Sequence, residues 1–389
     1  MAFGSLMNQS IADSDFEYAI IHVTGPSHGT TVTMTFSGGG TQNLIEVSNG
    51  VWEGRVSDKG TYTVKSTVSG IDSSSSVTVS SPKTYNVILT GPSRILNNNS
   101  WSVIRKISDS GKASSLWSVG DRKAVILNGY IDDRLTLNNF TCYVFILGFD
   151  HNMANEYDED HNQVHSIHFQ GFKTALSGGK DIAICDTYYG ESSRNDRSNG
   201  EKRKYVASMW VYGSLPTSLN QLASYTSSYM SKTTLNVHML AALPTELQNN
   251  IKVVGKYIFT SLSSKSPYYW GGGRMYKKLW LISEFECTGA VNIGPDNAGT
   301  KLEANKSNCL QYAYYKAGNS VLKYKHDAQS TLCHYYLRTP SSDSAGSATM
   351  PQTPMWGAIT TEVSSGTWGK GVVHYNLRES LGISPCFCV

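Results

Sequence analysis

Between residues 18 and 90 apolar and polar positions alternate in short runs, each broken by Gly, Ser, Asn or Pro. The runs are YAIIHV (18–23), TTVTMTF (30–36), VWEGRV (51–56), TYTVKSTV (61–68), SSVTVS (75–80) and YNVIL (85–89). Turn signals separate them at Gly38-Gly39-Gly40, Asn49-Gly50 and Lys59-Gly60. A period of two over short stretches predicts strands, and several at this spacing predict a small β-sandwich. In the fourth run Tyr62 and Val64 are expected to face inward, opposite Thr61, Thr63 and Lys65.

Beyond Gly91-Pro92 the pattern changes. Trp101, Ile104 and Ile107 recur at helical spacing, with Ser100 placed to cap the helix and Gly111 to stop it. SLWSVGDRKAVILNG (115–129) reads as a turn feeding a strand, and TCYVFILGF (141–149) as a central strand because it is apolar almost throughout. Further helices are expected near Leu235 to Leu243, from Glu246 to Ile251 after Pro244, and over Ala304 to Lys316. LWLISEFEC (279–287) and VLKYKH (321–326) read as strands. Gly271-Gly272-Gly273 reads as a loop tip. The expected fold class is therefore α+β and multidomain. Residues 1–17 form an arm able to anchor the chain, 18–90 a sandwich, and 91–389 a large, loop-rich α+β domain.

Composition sharpens this picture. Only 16% of residues are charged, yet there are 23 Tyr, 11 Phe and 8 Trp. Disordered chains are rich in charge and poor in aromatics, so a packed core is expected, with rings to spare for a surface. Net charge is +3. The densest basic group, Arg194, Arg197, Lys202, Arg203 and Lys204, is interrupted by Asp196 and Glu201 and reads as a solvated loop, so no nucleic-acid partner is expected. Seven cysteines are scattered without a CxxC pair, which argues against a zinc ribbon or a disulfide framework and for buried free thiols. Cys386 and Cys388 would share one face of a strand. The opening residues carry no basic segment followed by an apolar one, so no secretory leader is expected. Tyr143 to Phe149 is too short an apolar run to span a bilayer, and no membrane insertion is expected.

Catalytic signatures are missing. There is no GxSxG, HExxH or GxxxxGK[ST]. His161, His165 and His168 come nearest to a metal set, since on a helix they would share a face. A loop entering a strand fits Val164, Ile167 and Phe169 better, and there His165 and His168 point apart. Glu284 and Glu286 would lie on one face of a strand, an arrangement either of a solvated edge or of a glycoside-cleaving pair. No cofactor is expected.

The segments SLWSVGDRKAVILNG, YVFILGFDHN, HFQGFKTAL, HMLAALP, LISEFE, QYAYYKAGNSVLKY, HYYLRTP and LGISPCFCV resemble a domain family of phages and prophages of Gram-positive, often gut, bacteria. The N-terminal module is similar to immunoglobulin-like or carboxypeptidase-regulatory-like sandwiches. The YLRTP and GISP segments are also similar to the strands that bracket the ligand surface of C-type-lectin-like folds. Here Thr339 stands for the family's usual Ser, and Ser384 for its usual Arg. The resemblance implies a non-enzymatic virion protein of the tail-fibre or receptor-binding type, assembled in the host cytoplasm. It implies that 341–378 is a variable recognition segment for a host surface ligand, a glycan among the candidates. Tyr336, Arg338, Trp356, Trp368, His374 and Tyr375 are the expected ligand residues, with Tyr268, Tyr269 and Trp270 a second aromatic patch. Other virion proteins and further copies of the chain, three for a fibre, are the expected partners. A capsid-decorating or head-fibre protein and a surface-glycan depolymerase stay open as alternatives.

Overall fold

Side chains alternate across a strand, and Ala19, Ile21 and Val23 of β1 (Ala19–Thr24) are accordingly all buried. The computed structural model describes residues 17–26, 28–68, 71–89, 92–132, 135–185, 235–262, 270–289, 309–341, 355–359, 372–376 and 382–389. Of these, 71, 132, 257–262, 270–275, 336, 339–341, 355–359 and 372–376 are described by their backbone alone. The chain divides into two compact units, one up to Asn99 and one from Ser100 onward. It is a β-rich α+β fold.

In the first unit β1 is followed by β2 (Val32–Phe36), β3 (Thr41–Asn43), β4 (Ile45–Ser48), β5 (Val51–Val56), β6 (Gly60–Val68), β7 (Ile71–Val79) and β8 (Thr84–Ile88). They form two four-stranded sheets, ordered β4-β5-β1-β8 and β3-β2-β6-β7. One apolar cluster joins Ile21, Val23 and Trp52 of the first sheet to Met34, Tyr62 and Val64 of the second. Tyr62 and Val64 thus face inward as their alternation predicts, while Lys65 pairs with Asp72 in the open. Gly54 is a point of close approach: a Cβ there would stand 3.2 Å from both Leu44 and Met34. The short strands β3 and β4 were not predicted, because TQN and IEVS are too brief to show a period.

The second unit opens with a helix, α1 (Trp101–Asp109), in which the Ser100 hydroxyl accepts a hydrogen bond from the Val103 amide. Trp101, Ile104 and Ile107 are buried as expected. Trp101 meets Phe169 and Phe387 edge-on, at centroid distances of 5.5 and 6.1 Å. Those two rings belong to β11 (Ile167–Lys173) and β21 (Pro385–Cys388). With β9 (Arg122–Asp132), β10 (Leu135–Phe149) and β15 (Trp280–Leu281) they build a five-stranded sheet, ordered β15-β21-β11-β10-β9. The apolar run at 141–149 lies on β10, an interior strand. Every residue of β11 and β21 is buried, so both faces of the sheet are covered at these strands.

Three smaller sheets complete this unit. One joins β12 (Ile182–Ala183), β16 (Lys323–Lys325) and β17 (Leu332–Cys333); another pairs β13 (Val254–Leu262) with β14 (Trp270–Lys277). The third is β18 (Tyr335–Ser341), β19 (Met355–Ile359) and β20 (Val372–Asn376). A wide turn at Leu235–Met239, the short helix Leu240–Ala242 and the helix Thr245–Asn250 occupy the stretch expected to be helical around Pro244. All seven cysteines are buried, and none is joined to another by a disulfide.

Three expectations need correction. Gly271, Gly272 and Gly273 form no loop tip. They sit in β14, paired with Ser261, Phe259 and Ile258, since backbone pairing needs no side chain and the partner strand is rich in β-formers. The strand predicted through 279–287 stops at Leu281, and Glu284–Thr288 is a helix. Ser283 caps it, accepting from the Glu286 amide while the Glu286 carboxylate accepts from the Ser283 amide. Of the helix expected over 304–316, only Ala313–Lys316 is helical among the described residues, and Cys309 to Tyr312 precede it outside the helix. The basic group at 194–204 and the arm at 1–16 lie outside the described residues. Among those described, no helix is long and apolar enough to cross a membrane.

Candidate functional site

The capping box that overturns the predicted strand also turns Glu286 into the core. Its side chain is 1% exposed and meets Arg338 Nη1 at 2.5 Å. Arg338 comes from β18. Its backbone N–H donates to Ile282 O at 3.0 Å and its guanidinium to Leu281 O at 2.9 Å. The other oxygen of Glu286 accepts from Lys256 Nζ at 3.3 Å, and Lys256 donates to Glu156 at 2.6 Å and to the Tyr312 hydroxyl at 3.0 Å. Two carboxylates and two cations therefore balance inside a space closed to water. His168 Nδ1 stands 2.9 Å from the Tyr312 hydroxyl, and the His151 ring stacks on Tyr312 at 3.7 Å.

Burial and neighbouring charges set the protonation of these groups. Burial pushes the Glu286 carboxyl up, but Arg338 and Lys256 together hold it well below the usual range. Glu156 has no arginine of its own, and burial wins there, raising it to about 7. Burial, reinforced by the Lys256 charge, drives His151 down to about 3 and His168 well below its ordinary value. Both imidazoles are neutral at pH 7. The buried centre is a brace of paired, hydrogen-bonded charges.

Two groups of described residues bring metal-ligating atoms within 4.8 Å of one another: His151 with Glu156 and Glu286, and Cys185 with His326 and Asp327. In the first, Lys256 Nζ bonds to both carboxylates and fills the place a cation would take.

Both ends of the segment between β18 and β21 are held in the buried core, the near end through the centre's Arg338. On the near side, Arg338 and Leu337 are buried. On the far side, Gly382 donates to His334 O at 2.8 Å, and Ile383 exchanges hydrogen bonds with Ile184 at 2.8 and 2.9 Å. Ser384 is buried and its hydroxyl donates to Gly171 O. β21 then lies between β15 and β11. The intervening strands pair antiparallel, with Tyr336 opposite Ala358, Pro340 opposite Trp356, and Trp356 opposite Tyr375.

The predicted site residues fall as follows. Arg338 is no ligand contact; at 4% exposure and paired with Glu286 it is part of the core. Trp356, His374 and Tyr375 are placed by backbone on β19 and β20, and Tyr336 on β18. Their side chains, and Trp368, lie outside the described residues. Tyr268 and Tyr269 do too, while Trp270 begins β14. His161, His165 and His168 do not converge. His161 contacts the Tyr276 hydroxyl, His165 pairs with Asp150 at 3.0 Å, and His168 is buried on Tyr312. They sit on a loop running into β11, which disperses them as period-two geometry requires. Glu284 and Glu286 are both buried, and so form neither a solvated edge nor an accessible glycosidase pair.

The sequence reading missed Glu156 and Lys256. The partners are far apart along the chain, and no local signal announces them. Glu286 was within reach, because Ser283 followed three residues later by Glu is a capping box.

The chain matches no protein-family model, no curated protein and no solved structure.

Proposed function

We propose that this chain is a bacteriophage virion protein of the tail-fibre or receptor-binding type, in which residues 100–389 hold out the 341–378 segment to a ligand on the bacterial surface. The reading takes the first unit as an immunoglobulin-like docking module and the second as a C-type-lectin-like domain, following the sequence resemblance. The single observation that carries it is the anchoring of both ends of the segment in one buried core, by Arg338 on one side and by Gly382 to Val389 on the other. A frame stiffened in this way tolerates change in what it carries, which is how recognition loops are mounted on rigid scaffolds. Tryptophan and tyrosine on the carried strands supply the ring anchors that dominate binding energy and stack on sugar faces.

The first unit supports a docking role. Its edge strands β4 and β8 leave Ile45, Val47 and Ile88 exposed by 72%, 53% and 69%, apolar surface that a particle contact would cover. Several copies on a symmetric particle, three in a fibre, would gain avidity from weak single contacts.

The test is binding of the labelled full chain to host cells and to a panel of surface glycans, with Trp356→Ala and Trp368→Ala beside wild type. Binding lost by about tenfold or more in either variant, with unchanged unfolding, supports the reading. Equal binding by all three proteins removes the recognition face.

A further inference from the structure

We propose that Cys185, His326 and Asp327 form the protein face of a divalent-metal site of the zinc class. The fold delivers these side chains together. β12 and β16 are parallel neighbours, with Ile182 opposite Tyr324 and Ala183 opposite Lys325. Parallel strands end at the same side. Cys185 stands two residues past the end of β12, and His326 and Asp327 follow β16 directly. The His326 amide donates to Ala183 O at 3.1 Å, and the Cys185 amide donates to His326 Nδ1 at 3.3 Å, a bond that the metal displaces when it takes that nitrogen. The imidazole is further held by Phe140, edge-on at 5.5 Å.

The ligand atoms make a triangle of the right size. Cys185 Sγ is 3.7 Å from His326 Nδ1 and 3.9 Å from Asp327 Oδ1, and the latter two are 4.0 Å apart. A tetrahedral zinc ion with bonds of about 2.3 Å to sulfur and about 2.0–2.2 Å to nitrogen and oxygen requires ligand separations of roughly 3.3–3.6 Å. The triangle reaches that by closing about 0.1–0.4 Å on the two sulfur edges and about 0.6–0.7 Å between His326 and Asp327. A thiolate, an imidazole and one carboxylate suit zinc-class ions, whereas calcium and magnesium demand oxygen alone.

Cys333 lies beside Cys185 but outside the three ligand atoms that converge. The Cys333 side chain hydrogen-bonds Cys185. The backbone makes room for this thiol at Gly382, where a Cβ would come within 2.5 Å of Cys333 Sγ. Lys325 Nζ is 3.7 Å from Asp327 and releases it when the metal binds. This contrasts with the buried centre around Glu286, where Lys256 bonds to both carboxylates.

The experiment adds cobalt(II) to the full chain, purified reduced and stripped with chelator, and follows absorption. One equivalent should give thiolate-to-cobalt charge-transfer bands with the d–d pattern of a tetrahedral site, and zinc(II) should displace it. Cys185→Ser should abolish the bands. Asp327→Asn, a change at a half-exposed side chain, should keep the fold and weaken binding by about tenfold or more. Cys142→Ser, whose thiol is buried on β10 and is not among the converging ligand atoms, should bind as wild type does. The site is overturned if folded wild type gives no such bands, if Asp327→Asn binds as tightly as wild type, or if the native protein proves to hold a Cys185–Cys333 disulfide instead.

Discussion

Arg338 and Glu286 meet at 2.5 Å with side chains only 4% and 1% exposed, and so join the strand that leads into the 341–378 segment to a helix 52 residues earlier. Removing one member of such a pair leaves the other charged and out of water, which costs far more than the intact pair contributes. Arg338→Met should therefore destabilise the second unit by roughly 3–5 kcal/mol. Combining it with Glu286→Gln should recover part of that loss. Urea unfolding followed by tryptophan fluorescence reads both numbers. A cost below about 1 kcal/mol for the single variant, typical of exposed pairs, would show that the brace is absent.

Acid should weaken the protein well above the ordinary carboxylate range. His151, at about 3 when folded against 6.5 unfolded, and His168, also lowered, accept protons only on unfolding. Their stabilising share is complete above pH 6.5 and is lost as pH falls. Glu156 runs the other way: raised to about 7 from 4.5, it binds a proton in the folded state first. Between pH 6.5 and 4.5 the unfolded chain thus gains a net one proton from these three groups. Stability falls by about 1.4 kcal/mol per pH unit. Glu156→Gln removes the opposing share and should roughly double that slope. Stability that stays level across this window in both proteins would contradict the assigned protonation.

Lys323 offers a change in the opposite direction. Its amine is fully buried, has no hydrogen-bond partner among the described residues, and lies over the rings of Phe145 and Tyr335 at 5.5 and 5.3 Å. Burial pulls it down to about 8, against the favourable charge of Asp181. Below that pH the folded state carries an ammonium in an apolar setting, and Lys323→Met relieves it. The variant should be more stable at pH 7 by roughly 1–3 kcal/mol, with the gain shrinking as pH rises from 8 to 10.5. A loss of stability at pH 7 would mean that the amine has a role its surroundings do not reveal.

What the sequence made legible follows from distance along the chain. Ser100 with Trp101, Ile104 and Ile107 announces a helix because cap and period sit within one turn or two. Tyr62 and Val64 announce an inward face for the same reason. Glu156 and Lys256 are 100 residues apart, and nothing in either neighbourhood marks the other as its partner. Arg338 shows how a motif can mislead. The match to a ligand-bracketing strand placed it at a surface, but its pairing with Glu286 puts it inside. Cys185 and His326 look unremarkable in sequence, since the parallel strands that bring them together are only two and three residues long.

An image of the whole phage particle, at a resolution that traces this chain, tests the central claim most directly. The account predicts the first unit seated on the particle, with residues 341–378 turned outward and free of neighbouring subunits. A particle that lacks the chain, or one in which that segment is pressed against the shell as in a capsid-decorating protein, would contradict it.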